Sequence, residues 1–335
     1  MQELLAYLLD GMHEDLNRVR FRPPYDPTDE DDECDGTNDH GDAIAAWSRY
    51  LSRNQSIVVD LFQGQLRNTM ICRNRRRRSS SSGDDDDDDG EYCCGHVSVK
   101  FDPFMYLSLP VSDGCDTLDD CLDLFCSEEF LTGDERWYCP RCRTHVDATK
   151  KIDLFMLPPI LIVHLKRFEI CPNSCRWTKI DRAVRYPLND WNLNESTKGG
   201  GGDDGGVYPL YDLYAISHHI GDVGHGHYTS HARNRFDGAW YNFNDGRCDR
   251  IINDPTMRTE VRRSGGRGFG GSSSSSLPSA YCLFYHRVER VRGANGGDDV
   301  EKKTVIRRQS VSRPELWPHL QRAKAAEWAS LRVTT

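Results

Sequence analysis

The feature that most constrains the fold is a series of short segments, between residues 57 and 290, rich in β-branched and aromatic residues. Such segments are typical of β-strands, and one helical pattern, at 117–125, interrupts them. Strands that follow one another with few helices between them predict a mostly antiparallel sheet, because parallel neighbours need long crossover connections. The predicted strands cover residues 57–62, 97–101, 151–156, 160–165, 207–218, 227–232, 239–243 and 279–285.

The N-terminal part predicts helices instead. Leucine and methionine residues at spacings of three and four over residues 2–17 indicate an amphipathic helix, and residues 42–51 indicate a second. A helix with no leader before it favours a chain that begins inside a domain. The segment 22–41 is proline-rich and then acidic, which predicts a solvated loop. A short helix at 314–331 is expected within an otherwise polar tail.

Four low-complexity segments interrupt this pattern, at residues 75–90, 199–206, 264–276 and 293–299. Their glycine, serine and aspartate residues cannot bury enough apolar surface to offset the entropy of ordering them, so mobile loops are expected. The run of arginines and then aspartates in the first segment is read as a loop without function. A docking or localisation element is the less favoured reading.

Composition and charge exclude several classes of protein. A net charge of −9 over 335 residues argues against general nucleic-acid binding. No apolar run approaches the roughly 18–20 residues of a membrane span, and the N-terminus lacks the pattern of a secretory signal. The odd number of cysteines, 13, favours free thiols and metal binding in a reducing compartment over disulfides. Cytoplasm or nucleus is therefore the expected location.

Two pairs of cysteines have the spacing of metal ligands. Cys139 and Cys142 form a Cys-x-x-Cys pair, in which a tight turn directs both sulfurs at one ion. Cys72 and Cys94 form a second such pair if the insertion between them is set aside. Tetrahedral zinc takes four ligands, so one structural zinc ion is predicted, holding two hairpin tips that lack a core of their own. The alternative is a set of buried thiols, a common state of cysteine.

The fourth ligand is not fixed by this spacing. Cys93 could replace Cys94, and His96 is a more distant choice. The remaining cysteines considered show no ligand spacing and are expected to be packing or surface residues: Cys115, Cys121, Cys126, Cys171, Cys175, Cys248 and Cys282.

A histidine and a polar pair suggest the acid–base half of a nucleophilic catalytic site. His227 follows a glycine-containing stretch, where backbone can approach a ligand closely. A matching strand lies about a hairpin away, so Asn244 or Asp245 can face the imidazole across the pair. A thiol or hydroxyl nucleophile needs such a base, and the base needs a third group to fix its tautomer. The alternative is an ordinary histidine of the core or surface. We find no candidate nucleophile in the sequence.

Nine segments in the same order together resemble the ubiquitin-specific protease family of deubiquitinating cysteine proteases. They span about residues 2–287: Gln2-Glu-Leu-Leu, Leu9-Asp-Gly-Met-His-Glu-Asp-Leu-Asn17, Asp60-Leu-Phe-Gln-Gly-Gln-Leu66, Phe101-Asp-Pro-Phe-Met-Tyr-Leu-Ser-Leu-Pro110, Tyr138-Cys-Pro-Arg-Cys142, Pro158-Pro-Ile-Leu-Ile-Val-His-Leu-Lys-Arg-Phe168, Gly226-His-Tyr-Thr229, Trp240-Tyr-Asn-Phe-Asn-Asp245 and Ala280-Tyr-Cys-Leu-Phe-Tyr285.

The resemblance implies an α+β, papain-like fold with zinc-bearing fingers, a palm and an incomplete thumb. Residues 1–56 would be the rest of the helical thumb with an acidic loop. Residues 57–290 would form the fingers and palm, with insertions at 75–90, 199–206 and 264–276. Residues 291–335 would be a polar tail with a short helix.

The resemblance also implies an activity, hydrolysis of the bond after the C-terminal glycine of ubiquitin. His227 would be the base that activates a cysteine and then the acid that protonates the leaving amine. Asn244 would orient the ring by accepting a hydrogen bond from Nδ1–H, and Asp245 would support the site.

Substrate contacts are implied in the same way. His225 and Gly226 would border a narrow channel for the two glycines that end ubiquitin, with Tyr228 and Tyr281 near its walls. The expected partners are ubiquitin and ubiquitinated proteins, with no nucleic acid and no membrane.

One element of the family pattern is missing, the Asn-Thr-Cys-Tyr-type segment that carries the nucleophile upstream of the matched region. A fragment or incomplete gene model of an active enzyme is therefore expected, and this chain alone is expected to be inactive. A catalytically inactive ubiquitin-binding or scaffolding module is the main alternative. A zinc-ribbon interaction protein unrelated to ubiquitin is a third.

Overall fold

The structure is a computed structural model that describes residues 1–24, 34–76, 92–171, 175–193, 210–251, 279–292 and 300–304. The helices in these residues are α1 (Gln2–Asp15), α2 (Asp39–Arg53), α3 (Ile57–Phe62) and α4 (Leu118–Cys126). In this part of the chain no helix combines the length and apolar character needed to cross a membrane.

Helix α1 is attached to the helices that follow it by a buried histidine. His13 is 5% exposed, and its Nδ1 lies 2.8 Å from Ser56 Oγ while its Nε2 lies 3.2 Å from Asn54 Oδ1. The apolar side of α1 packs through Leu9 against Val58. Helices were predicted at 2–17 and 42–51, and both are present. The predicted loop over 22–41 ends sooner than expected because α2 already begins at Asp39, capped by the Asn38 side chain.

The strand predicted at 57–62 is wrong, because these residues form α3. Ser56 caps this helix, its Oγ accepting a hydrogen bond from the Val59 backbone nitrogen at 3.2 Å. Val58 and Val59 are 1% and 3% exposed, so the run of β-branched residues reflects burial. A short apolar run fits a buried helix as well as a buried strand, and here the cap decides between them.

The smaller sheet joins four strands in the order β4 (Val97–Phe104), β1 (Gly64–Cys72), β9 (Ala148–Met156) and β6 (Glu129–Leu131) among the described residues. All its pairings are antiparallel. Two short hairpins contribute further strands near one another: β2 (Arg75–Arg76) pairs with β3 (Tyr92–Cys93), and β7 (Trp137–Cys139) pairs with β8 (Thr144–Val146).

The larger sheet runs, within the same described ranges, from β17 (Arg247–Arg250) through β16 (Trp240–Asn244), β15 (His225–Arg233), β14 (Leu210–Asp222), β18 (Ser279–Arg292) and β10 (Ile160–Lys166) to β5 (Leu107–Pro110). Strand β13 (Trp191–Asn192) pairs with β14, and β19 (Val300–Thr304) pairs with β18. Strand β11 (Phe168–Cys171) forms a separate hairpin with β12 (Arg176–Lys179). Every pairing except that of β10 with β5 is antiparallel, which confirms the predicted mostly antiparallel, α+β architecture.

Most of the other predicted elements agree with the structure to within a few residues, but the strand predicted at 279–285 continues to Arg292 as β18. The helix predicted at 117–125 is α4, where Thr117 and Asp120 form a capping box. The strand predicted at 207–218 is β14 from Leu210 onwards, and its first three residues lie outside the described ranges. Also outside them are most of the segment 75–90, the segments 199–206, 264–276 and 293–299, and the helix predicted at 314–331.

Strand β10 is buried on both of its faces. Leu161, Val163 and Leu165 are 0% exposed and belong to the main apolar core. On the other face His164 is 6% exposed, and its Nδ1 lies 3.0 Å from Ser108 Oγ of β5. Burial lowers the pKa of His164 to about 4, because an apolar environment disfavours the charged imidazolium.

We expect His164 to make the folded state acid-sensitive. Its folded pKa lies below the unfolded value of about 6.5, so the unfolded state binds more protons between these values. The contribution of neutral, buried His164 to the free energy of unfolding is fully present above pH 6.5. It is lost as the pH falls towards 4, and the loss amounts to up to about 3 kcal/mol. Urea unfolding of the wild type and of His164→Phe at pH 7.5 and 4.5 measures it.

The substitution should flatten the loss of unfolding free energy on acidification. His40→Phe is the matched control, since His40 is exposed on α2. Equal acid sensitivity of the wild type and His164→Phe would contradict this account.

Candidate active site and metal centre

The position of His227 follows from the register of three strands. In the pairing of β14 with β15, His227 lies opposite Ile220. On the other edge of β15, Ser230 pairs with Phe243 of β16. Extending that register by one residue sets Asn244 opposite Thr229, which makes Asn244 a diagonal neighbour of His227 on the same face of the sheet.

His227 and Asn244 are hydrogen-bonded, with 2.6 Å between His227 Nε2 and Asn244 Oδ1. The expectation that Nδ1 makes this bond is therefore wrong. Nε2 is the ring nitrogen farther from the backbone, so it is the one that reaches along the diagonal to β16. An amide oxygen only accepts, so Nε2 carries a proton, and in the neutral ring Nδ1 keeps its lone pair. The arrangement leaves Nδ1 able to act as a base.

Asp245 takes a secondary position at the same ring. It adopts a positive φ of 49° in the turn from β16 to β17. Its Oδ2 lies 3.8 Å from His227 Nε2, and its side chain is 82% exposed. This separation exceeds a hydrogen bond, so Asp245 contributes only through its charge. Of the two partners that the sequence allowed, Asn244 is the one that orients the ring.

The described cysteines do not supply a thiol to His227. Within the described part of the chain, the polar partners of its ring are Asn244 and Asp245, and no cysteine sulfur contacts it. Burial raises the pKa of the Cys121 and Cys282 thiols to about 12 and that of Cys126 to about 11. These thiols are protonated at neutral pH, whereas a nucleophilic cysteine reacts as its thiolate.

Tyr228 and Tyr281 meet on the face of the sheet opposite to His227. Their ring centroids are 5.8 Å apart in an edge-to-face arrangement. Tyr228 is 38% exposed and Tyr281 is 8% exposed. Burial raises the pKa of Tyr281 to about 12 and also raises that of Tyr228. Both rings stay neutral at physiological pH and form one aromatic wall.

A second histidine, not predicted from the sequence, completes this wall. His219 lies 4.8 Å from Tyr228 and 5.4 Å from Phe168 between ring centroids. It is 4% exposed, and burial lowers its pKa, with the nearby charge of Lys179 adding to the effect. The strand predicted at 207–218 ends one residue before His219, whereas the observed β14 continues to Asp222. Alternation along β14 places His219 on the face away from Ile220 and His227.

The turn between β14 and β15 depends on two glycines. A Cβ on Gly226 would collide with the His219 ring and come within 3.0 Å of the Ile220 carbonyl oxygen. Gly221 has a φ of +108°, and a Cβ there would lie 2.6 Å from the His225 carbonyl oxygen. Only glycine fits both positions, which brings exposed His225 and Gly226 close to the aromatic wall.

Four cysteine sulfurs lie together at the hairpin end of the smaller sheet. The sulfurs of Cys72, Cys94, Cys139 and Cys142 are all within 4.8 Å of one another, and this group could hold a metal ion. The predicted fourth position is taken by Cys94, while Cys93 is the last residue of β3.

Hydrogen bonds favour ionised sulfur at Cys142, whereas burial raises the pKa of the Cys72 and Cys139 thiols. Asn74 Nδ2 lies 3.5 Å from Cys142 Sγ, and the Cys142 backbone nitrogen lies 3.4 Å from Cys139 Sγ. Chiefly through Asn74, the pKa of the Cys142 thiol is lowered to about 7. The ring of His96 instead stacks on Trp137, with centroids 6.2 Å apart, and is not part of the group.

The chain is similar in sequence to several curated proteins. It is 34% identical over 287 residues to human ubiquitin carboxyl-terminal hydrolase 2, a match that covers 85% of this chain and 39% of that protein. The chicken protein of the same name is 35% identical over 287 residues, covering 85% of this chain and 67% of its own length. The chain thus spans about two fifths of the length of the human relative.

A solved structure supports the fold. The chain superposes on the structure of a SAGA DUB module containing Ubp8 with a TM-score of 0.54 and 22% identity, covering 85% of this chain and 50% of that one. The sequence model of the family described as ubiquitin carboxyl-terminal hydrolase matches residues 1–285. The chain therefore belongs to the ubiquitin carboxyl-terminal hydrolase family.

Proposed function

We propose that this chain supplies the base, the orienting amide and the ubiquitin-binding surface of a thiol-dependent deubiquitinase. The observation that carries the proposal is the 2.6 Å hydrogen bond from His227 Nε2 to Asn244 Oδ1, which fixes one tautomer of a half-exposed imidazole. The relatives that match most of the chain bear the name ubiquitin carboxyl-terminal hydrolase.

His227 Nδ1 takes the proton of a cysteine thiol, and the thiolate attacks the carbonyl carbon of the C-terminal glycine of ubiquitin. The imidazolium then gives this proton to the leaving amine, and an acyl-enzyme remains. The same nitrogen activates the water that hydrolyses the acyl-enzyme. Asn244 Oδ1 stabilises the ring throughout by accepting from Nε2–H. The thiol comes from a cysteine other than the described ones.

The C-terminal end of the substrate would approach at the β14–β15 turn, where Tyr228 of the aromatic wall directly follows His227 along β15. Gly226 precedes His227 there and carries no side chain, because a Cβ would collide with the His219 ring of the wall. A peptide that ends in two glycines could come close to this turn, because it carries no Cβ to meet the rings. Ubiquitin is the proposed partner for this reason.

A second candidate function is ubiquitin binding without cleavage. It is favoured by the absence of a cysteine sulfur at His227 among the residues that the structure describes. Under this reading the palm and fingers would hold ubiquitin, and the His227–Asn244 pair would have no nucleophile to activate.

A ubiquitin–fluorophore cleavage assay tests the role of His227. The chain alone is expected to bind ubiquitin and to show no turnover. With a segment of the Asn-Thr-Cys-Tyr type fused ahead of Met1 to supply the thiol, turnover is expected. His227→Ala should then lower kcat/KM by about 10³-fold or more, because the base is lost.

His40→Ala is the control for that assay and should leave the rate unchanged, since His40 is exposed on α2. Full activity of the His227→Ala fusion would refute the assignment of the base. A fusion that binds ubiquitin but never cleaves it would favour the second candidate function.

Two substitutions of Asn244 in the same fusion protein are expected to lower the activity to different extents. Asn244→Ala removes the acceptor of Nε2–H, so kcat should fall by roughly 10- to 100-fold with little change in KM. Asn244→Asp keeps an acceptor oxygen and should retain most of the activity. Comparable losses in both variants would show that the side-chain oxygen does not act as proposed.

We also propose that the four-cysteine group holds one structural zinc ion. A Zn–S bond of about 2.3 Å in a tetrahedron implies sulfur–sulfur distances of about 3.8 Å. The sulfurs of Cys72 and Cys142 are 3.8 Å apart, and three of the four cysteines are buried. A set of four protein ligands leaves no open position, so the ion would hold the two hairpins together.

Elemental analysis of the purified chain should find about one zinc per molecule. Cys139→Ser should lose the metal and lower Tm by about 5–10 °C, because metal binding stabilises the fold. Cys248→Ser is the matched control, since Cys248 is exposed on β17. This variant should retain both the metal and the Tm of the wild type. Metal-free wild-type protein with an unchanged Tm would contradict the zinc assignment.

A further inference from the structure

Lys179 is a buried cation at the end of β12. Its side chain is only 2% exposed. Three oxygens surround its ammonium group: the Gly221 carbonyl at 2.9 Å, the His219 carbonyl at 3.4 Å and Asp181 Oδ1 at 3.0 Å. A buried ammonium is costly unless it is hydrogen-bonded and paired, and here all three of its donors have an oxygen within reach.

The two carbonyl groups belong to the strand that pairs with His227. They lie on either side of Ile220, the residue opposite His227. Among the described residues, the pairing of β14 with β18 ends where His219 meets Ser279, so the Gly221 carbonyl lies beyond the described ladder. The Lys179 ammonium binds β14 carbonyl groups at this end of the ladder and beyond it.

The His219 carbonyl oxygen accepts two side-chain hydrogen bonds, one from Lys179 Nζ and one from Ser279 Oγ at 3.2 Å. The His219 ring in turn lies against Gly226, where a Cβ would overlap it. A shift of the His219 backbone would thus be passed directly to Gly226 and His227. The Lys179 ammonium is thus linked, through the carbonyl and the ring of His219, to the residue that precedes His227.

We propose that Lys179 is a positioning residue for His227, acting through the carbonyl groups of His219 and Gly221. It attaches the β11–β12 hairpin to the β14–β15 turn and so fixes the strand register that brings His227 Nε2 to Asn244. This role rests on the proposed function of His227 as the base, but the hydrogen bond that it controls is measurable without catalysis.

NMR of the ¹⁵N-labelled 335-residue chain tests the proposal. In the wild type, His227 should show the shifts of an imidazole protonated at Nε2. In Lys179→Met these shifts should move towards the averaged values of free imidazole, and amide exchange at Ile220 and His227 should rise by at least about tenfold. Exchange at Leu161 and Val163 in β10 should stay the same.

Lys179→Arg should restore the wild-type shifts at least in part, because it keeps a charged donor. Lys150→Met is the matched control, since Lys150 is a more exposed lysine with a single ion pair to Glu129. If Lys179→Met does not fold, Lys179→Gln, which keeps a neutral donor, is measured in the same way and should show the same displacement of the His227 shifts.

A lower Tm with unchanged His227 shifts and unchanged local exchange would overturn the proposal, because Lys179 would then only stabilise the fold. Failure of the cleavage assay with these NMR changes present would count against the proposed function and not against the positioning role.

Discussion

Strand β14 is hydrogen-bonded along both of its edges, to β18 on one side and to β15 on the other, and the arrangement of the candidate site follows from this. Leu213 and Ile216 on this strand are fully buried in the main core. Two bulges interrupt its pairing with β18, at Leu213/Ala215 and at Ser217/His218. Beyond the second bulge His219 faces the aromatic wall and Ile220 lies opposite His227. Pairing on both edges as far as His219 gives the end of the hairpin that carries His227 a firm base.

The His227–Asn244 hydrogen bond depends on the strand register as well as on the identity of the two residues. A slip of one residue between β15 and β16 would turn Asn244 to the opposite face of the sheet and leave the imidazole without its acceptor. Trp240 of β16, which packs against the main core, resists such a slip, because the slip would turn it away from that core. The chemistry of the site is therefore protected by the same burial that stabilises the sheet.

Much of this arrangement was predictable from the sequence, for reasons that differ between sites. The sulfur group could be predicted because Cys-x-x-Cys spacing is local, and setting the insertion aside restored the second pair with Cys94. The hairpin allowed either Asn244 or Asp245 to face His227, and the family resemblance selected Asn244. The ring nitrogen of His227 that makes the hydrogen bond to Asn244 could not be predicted, since it depends on the diagonal offset of the two residues.

Other features lay beyond sequence reasoning because they depend on distant partners. The segment 57–62 carries β-branched residues, yet Ser56 starts a helix there. Lys179 lies in a short, mostly exposed hairpin, and nothing in its neighbours indicates that its ammonium is buried against carbonyl groups of β14. Contacts between residues some 40 positions apart are set by packing, which local patterns do not encode.

The short hairpin of β2 and β3 has a practical consequence for protein engineering. Arg75 pairs with Cys93 and Arg76 pairs with Tyr92, so the two ends of the segment between them are adjacent, close to the sulfur group. The entropy of closing a loop grows slowly with its length. Residues 77–91 can therefore be exchanged for an epitope tag or a whole reporter domain while the distance between Cys72 and Cys94 is preserved.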